Sequence, residues 1–315
     1  VKRLRRLGVA SLKAAATVGV LWLILRSVDL ERAALTASSA DARLIGCAVA
    51  MTGVLNLIKP VRWLWLLRGV LPDASYGTAL RSHLFAVGAR LVLPGKLGEL
   101  GRVLDIPQLP VARGVGVALL DLVLDICTGC LVAVPGAYLV GGPAAAGAVA
   151  AVSLALLGLA FRPTAILTPL SRTPGLRRLR TRVAGAREVM DALGSGPLVA
   201  GFAVSVALHA VRFGQLWLLI VALGAQPGAM ALWVLPVVPL AEAVAFTVGG
   251  IGVREGLAVA VLPAFGVPPE VALAAVFLQY VVTNLVPGVV GGWVVYKRRH
   301  VAAGKLRSVI AAAPD

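Results

Sequence analysis

The chain has 315 residues, 59% hydrophobic and 14% charged, with a mean hydropathy of +0.92 and a formal net charge of +16. Soluble domains carry roughly 25% charged residues, and apolar runs of about 20 residues, enough to span a bilayer, recur along this whole length; a soluble globular protein is excluded. The basic excess does not indicate nucleic acid, because Lys and Arg stand at the ends of apolar spans and no basic stretch carries the aromatic interleaving of a base-stacking surface.

Anionic membrane phospholipids are the expected partner of this charge. No stretch of about 50 residues remains for an appended cytosolic enzyme. The reading is one all-α polytopic transmembrane domain, residues 1–315, with about six to eight passes.

Residues 2–6 form a basic lead to a first span at 9–28, which reads as a retained signal anchor rather than a cleaved peptide. A polar break at 29–41 precedes a second span at 43–67. Its later half carries Asn56, Lys59, Pro60, Arg62, Trp63 and Trp65. Lys59, Arg62 and Arg68 read as interfacial anchors, since tryptophans beside cations suit the headgroup level.

The element at 76–93 is apolar but holds Arg81, His83 and Arg90, and Pro94-Gly95 breaks it before Lys96-Leu97-Gly98-Glu99-Leu100-Gly101-Arg102. Broken helices at membrane depth need cover from protein or a water-filled cavity. Residues 76–106 therefore read as a re-entrant hairpin entered from the cytoplasm. Spans at 113–140 and 143–161 follow. The first carries Asp121 and Asp125, four apart on one helix face. Like charges so placed call for pairing with Arg90, Arg102 or Arg254, or for one carboxyl staying protonated. Cys127 and Cys130 in the same span read as helix packing, with no second pair for redox or metal chemistry.

Six arginines within residues 171–187 mark 162–197 as a cytoplasmic loop. The span at 198–223 holds His209 and Arg212, one turn apart and read as an internal hydrogen-bonded pair. Residues 230–265 contain Gly249-Gly250-Ile251-Gly252-Val253-Arg254-Glu255 and read as a second hairpin, entering from outside. The last span, 271–296, closes on Lys297-Arg298-Arg299-His300, also cytoplasmic. Trp217, Trp233 and Trp293 read as interface or packing residues.

The two glycine breaks align as Gly-x-aliphatic-Gly at an offset of 154 residues (Gly98 to Gly252), each followed within a turn by Glu and Arg. Broken segments at matching places in two halves, about 1–161 and 198–300, point to a transporter-like midplane site between inverted repeats. Glycine N–H groups, two helix N-termini, Arg102 and Arg254 would together favour an anion, with phosphate the natural occupant. Glu99 and Arg102 at i, i+3 can pair.

Arg62-Trp63, Leu93-Pro94-Gly95-Lys96-Leu97-Gly98-Glu99-Leu100-Gly101-Arg102, the Gly249–Gly256 stretch and Leu285-Val286-Pro287-Gly288-Val289-Val290-Gly291-Gly292 resemble the lysylphosphatidylglycerol synthase transmembrane (flippase-like) family. This is the membrane half of the multiple peptide resistance factors. The resemblance covers residues 45–298. It implies an inner-membrane protein that moves a lipid between leaflets, aminoacylated phosphatidylglycerol in the resistance factors. Their cytosolic synthase domain has no counterpart here, so lipid aminoacylation does not carry over. Where the family has Glu-Arg-x-x-Asp, this chain has Asp121-Leu122-Val123-Leu124-Asp125.

The expected function is a lipid transporter or flippase acting on an anionic or aminoacylated phospholipid or a polyprenyl-phosphate lipid, in the bacterial inner membrane with both termini cytoplasmic. The substrate-binding candidates are Gly95, Lys96, Gly98, Glu99, Arg102, Asp121, Asp125, Gly250, Gly252, Arg254 and Glu255. No cofactor or metal is called for. The alternatives are a non-catalytic partner of a separately encoded lipid synthase, or a membrane-embedded lipid-phosphate enzyme. No nucleophile–base pair or phosphate-binding NTPase loop stands out to support catalysis.

Overall fold

The computed structural model describes residues 31, 35–36, 38–91, 97–161, 193–244 and 252–311. The first span, the arginine-rich run at 171–187, and Gly95, Lys96, Gly249 and Gly250 lie outside the described residues.

Helix α1 (Ala42–Arg68) starts where the Asp41 carboxylate accepts the Arg43 N–H at 2.8 Å. Pro60 inside it removes the N–H that would bond the Asn56 carbonyl, so the ladder is interrupted beside Lys59. Helix α2 (Tyr76–Arg90) starts at Ser75, whose hydroxyl accepts the Thr78 N–H at 3.2 Å. After the break, α3 (Leu97–Leu100) and a 3-10 turn (Gly101–Asp105) run back along α2. A methyl on Gly98 would lie 2.6 Å from the Arg90 Cα, and one on Gly101 3.1 Å from the Ala89 Cβ. At the mouth of this hairpin Arg81 Nε donates to Asp105 Oδ2 at 2.8 Å.

Helix α4 (Val111–Phe161) would be about 77 Å long if straight, but Gly142 breaks it with φ 69° and ψ −165°. The Ser153 hydroxyl donates to the Cys127 carbonyl at 2.8 Å, which sets the two limbs side by side and antiparallel. The expected spans at 113–140 and 143–161 are these limbs. Helix α5 (Ser195–Ala222) lies antiparallel to α1: Leu193 touches Gly69, and the Asp41 N–H donates to the Ala222 carbonyl at 2.9 Å.

The second hairpin comprises α6 (Ala231–Val234), α7 (Val237–Val244), α8 (Val253–Val261) and a 3-10 turn (Leu262–Phe265). Its mouth is closed by the Gly228 N–H on the Phe265 carbonyl at 3.2 Å. Helix α9 (Pro269–Tyr280) passes through a π-helical turn (Val281–Leu285) into α10 (Val286–Ala311). The sequence reading ended this span at 296. The helix continues because residues 301–304 are Val-Ala-Ala-Gly, with alanines that favour it, and Lys305 is fastened to carbonyls of Val103, Ile106 and Leu109.

All elements among the described residues are helical. Ala42–Arg68, Val111–Phe161, Ser195–Ala222 and Pro269–Lys305 are long and apolar enough to cross a membrane. The chain is an all-α multi-pass membrane protein.

Two apolar cores sit at opposite ends of the bundle. One gathers Leu67, Ala74, Val103, Ile106, Leu120 and Leu193; the other gathers Ala48, Leu219, Leu223, Leu262, Val267 and Ala272. The first hairpin opens at the end marked by Leu67 and Leu193, and the second at the end marked by Ala48 and Leu223.

Candidate functional site

Between the two cores lies a layer of buried charge. In the first limb of α4 the Asp121 carboxylate takes a guanidinium on each oxygen: Arg62 Nε on Oδ1 at 2.7 Å and Arg102 NH1 on Oδ2 at 2.8 Å. Arg62 also donates to the Ser205 hydroxyl at 2.6 Å and approaches Asp125 at 3.4 Å. Arg102 pairs with Glu99, and its guanidinium lies 4.7 Å above the Trp63 ring. Glu99 meets Arg90 NH1 at 3.3 Å. Trp63 Nε1 in turn donates to Ser82 Oγ at 2.9 Å. One network thus fastens α1, α2, the return arm of the first hairpin, α4 and α5.

Two adjoining clefts open onto this layer. One is lined by Asn56, Lys59, Arg90, Asp125, His209, Arg212, Thr283 and Asn284; the other by Lys59, Arg62, His83, Glu99, Arg102, Asp121 and Asp125. Lys59 and Asp125 belong to both. Asn56 Oδ1 sits 3.2 Å from His83 Nε2, and His209 Nε2 is 3.0 Å from the Asp125 carbonyl. His209 therefore bonds across to α4, rather than to Arg212 on its own helix.

Several sequence readings change at this point. Arg62 and Trp63 are interior residues, 4% and 0% exposed, and not headgroup anchors. Their i, i+1 setting in an apolar helix resembled an interface, but Arg62 has two carboxylates to meet and Trp63 a serine. Arg68 is exposed at the end of α1 and donates through Nε to the Ala74 carbonyl at 3.2 Å. The Glu99–Arg102 pair forms as its spacing predicts.

The second glycine motif is built differently from the first. Gly252 holds φ 94°, a left-handed conformation suited to glycine. Its N–H donates to Glu255 Oε2 at 2.7 Å, while Arg254 NH2 meets Glu255 Oε1 at 2.5 Å. Arg254 also lies 5.1 Å over the Tyr280 ring. Glu255 is thus the cap of its own helix, and it occupies a helix N-terminal N–H that the anion reading assigned to a ligand. Arg102 engages α1 and α4; Arg254 engages Glu255 and α9.

Lys59, Arg62, Arg90 and Ser205 are the site residues that sequence reasoning missed. A signal was present: Thr52, Asn56, Lys59 and Arg62 recur at spacings of four, three and three, a polar stripe on one face of an apolar helix.

With the geometry in hand, the comparison with known families is decisive. The family described as lysylphosphatidylglycerol synthase TM region matches residues 8–291. The chain belongs to that family. The resemblance drawn from the two glycine motifs therefore holds across most of the length. No curated protein matches the chain.

Proposed function

We propose that this protein moves a phospholipid, anionic or aminoacylated, or a polyprenyl-phosphate lipid, between the leaflets of a bacterial inner membrane. It acts as a transporter rather than an enzyme, with both termini cytoplasmic. The observation that carries this reading is a charged, cleft-bearing layer held between two apolar cores, flanked by hairpins that open toward opposite ends. Ionisable groups at such depth are costly and belong to pathways more often than to scaffolds. Helical hairpins broken at glycines and re-entering from opposite sides would let each leaflet reach the layer in turn, as inverted-repeat transporters do.

The test is leaflet exchange of labelled phospholipids and polyprenyl phosphate in liposomes containing the purified protein. Exchange faster than in protein-free liposomes, and slowed by Arg102→Ala, is the expected result. Exchange no faster than in protein-free liposomes for every lipid tried overturns the reading.

A further inference from the structure

We propose that the cleft between Lys59 and Arg90 binds the phosphate of a net-anionic phospholipid headgroup and selects against an aminoacylated one. The inference deepens the transport reading by naming its substrate class, and rests on that reading for the lipid's movement.

Lys59 lines both clefts and makes neither a hydrogen bond nor an ion pair among the described residues. Arg90 reaches Glu99 through NH1, while its Nε is buried with no hydrogen-bond partner among the described residues. A buried guanidinium nitrogen of this kind is an unmet donor, and a phosphate oxygen is its natural acceptor. Among the described residues that line the clefts, Lys59, Arg62, Arg90, Arg102 and Arg212 face Glu99, Asp121 and Asp125, so cations outnumber carboxylates. Asp121 already holds Arg62 and Arg102, Glu99 holds Arg90 and Arg102, and Asp125 approaches Arg62. An excess of positive charge in a low-dielectric layer calls for negative charge, which a phosphodiester supplies.

An aminoacyl group would bring an ammonium into the same space, where each of these carboxylates is already engaged by arginine. The rest of the wall adds a further cation, Arg212, together with His209, the apolar Leu55 and Leu208, and neutral polar side chains. Asn56, Thr283 and Asn284 donate within the protein, to the Thr52 carbonyl, the Gln279 carbonyl and Thr283 Oγ1, and their side-chain oxygens are left as acceptors for the alcohol groups of a glycerol-type headgroup. Thr283 and Asn284 sit in the π-helical turn, a distortion frequent at functional positions.

The experiment titrates the purified full chain with four probes: short-chain phosphatidylglycerol, its lysyl ester, short-chain phosphatidylcholine and inorganic phosphate. Phosphatidylglycerol is expected to bind about 10-fold more tightly than the lysyl ester, with phosphatidylcholine between them. Lys59→Gln and Arg90→Gln should each weaken phosphatidylglycerol about 10-fold, the scale of one charge-assisted hydrogen bond, and Lys59→Arg should retain it. Thermal unfolding of each variant checks that it folds.

Equal or tighter binding of the lysyl ester overturns the proposal. So does phosphatidylglycerol affinity unchanged in folded Lys59→Gln and Arg90→Gln. Inorganic phosphate distinguishes a lipid from a free ion: no competition supports the lipid, and competition at equal concentration overturns it. The expected binding pattern without leaflet exchange sinks the transport reading and keeps the site, whereas exchange without that pattern does the reverse.

Discussion

Arg62 and Asp121 are 59 positions apart in the chain and meet at 2.7 Å, each only 4% exposed. Because Asp121 also holds Arg102, its carboxylate is the counter-charge of two buried guanidiniums. Removing one partner of a buried pair costs about 3–5 kcal/mol, since the other charge is left uncompensated. Asp121→Asn should therefore lower the thermal unfolding midpoint sharply. Asp125→Asn, whose side chain is 23% exposed and sits 3.4 Å from Arg62, should lower it much less. Equal losses in the two variants would count against this hierarchy.

The contact of α2 with α10 is made by backbone. A methyl on Gly88 would lie 2.3 Å from the Gly291 carbonyl carbon, and one on Gly291 2.3 Å from the Leu84 carbonyl oxygen. Small residues permit this approach in membrane helices. Gly291→Ala is predicted to destabilise by about 1–3 kcal/mol, the range for overpacking. Gly292→Ala, with nothing within 4 Å, should be neutral. Differential scanning fluorimetry in detergent separates the two, and indistinguishable curves would refute the close contact.

At the mouth of the first hairpin, the fully buried Asp105 receives Arg81 and Arg298, both at 2.8 Å. Lys305 caps the carbonyls of Val103, Ile106 and Leu109 close by. Lys305→Met removes those bonds while keeping most of the stem. It should raise amide hydrogen exchange across residues 101–109 and leave 253–265 unaffected. Unchanged exchange at 101–109 would show that the hairpin end is held without it.

Glu255 closes the N-terminus of α8 and neutralises Arg254 at the same time. Glu255→Gln keeps an acceptor for the Gly252 N–H but removes the charge, whereas Glu255→Ala removes both. The alanine variant should be less stable than the glutamine variant by about 0.5–2 kcal/mol, the size of a lost cap, read from chemical unfolding. The opposite order would mean that the cap contributes nothing.

The sequence disclosed what local rules govern. The break in α4 falls between the spans read at 113–140 and 143–161, at Gly142-Pro143, where glycine tolerates φ 69° and proline is accepted at a helix start. Glu99 and Arg102 announced their pair through spacing alone. Arg62–Asp121 was not legible, since helix periodicity relates residues a turn or two apart and says nothing about which helices meet. Trp63 misled for a related reason: a tryptophan next to an arginine looks the same whether it faces headgroups or the underside of another arginine. Asp105 gave no signal at all. Its partners Arg81 and Arg298 lie 24 and 193 positions away.

Lys59 and Asp125 stand in the party wall between the two clefts. Neither cleft can then be adjusted by itself. A substitution at either residue, or an occupant that draws the ammonium toward one side, changes the field on the other side as well. The two chambers share one electrostatic dial, so variants selected for altered behaviour in one will carry a correlated change in its neighbour.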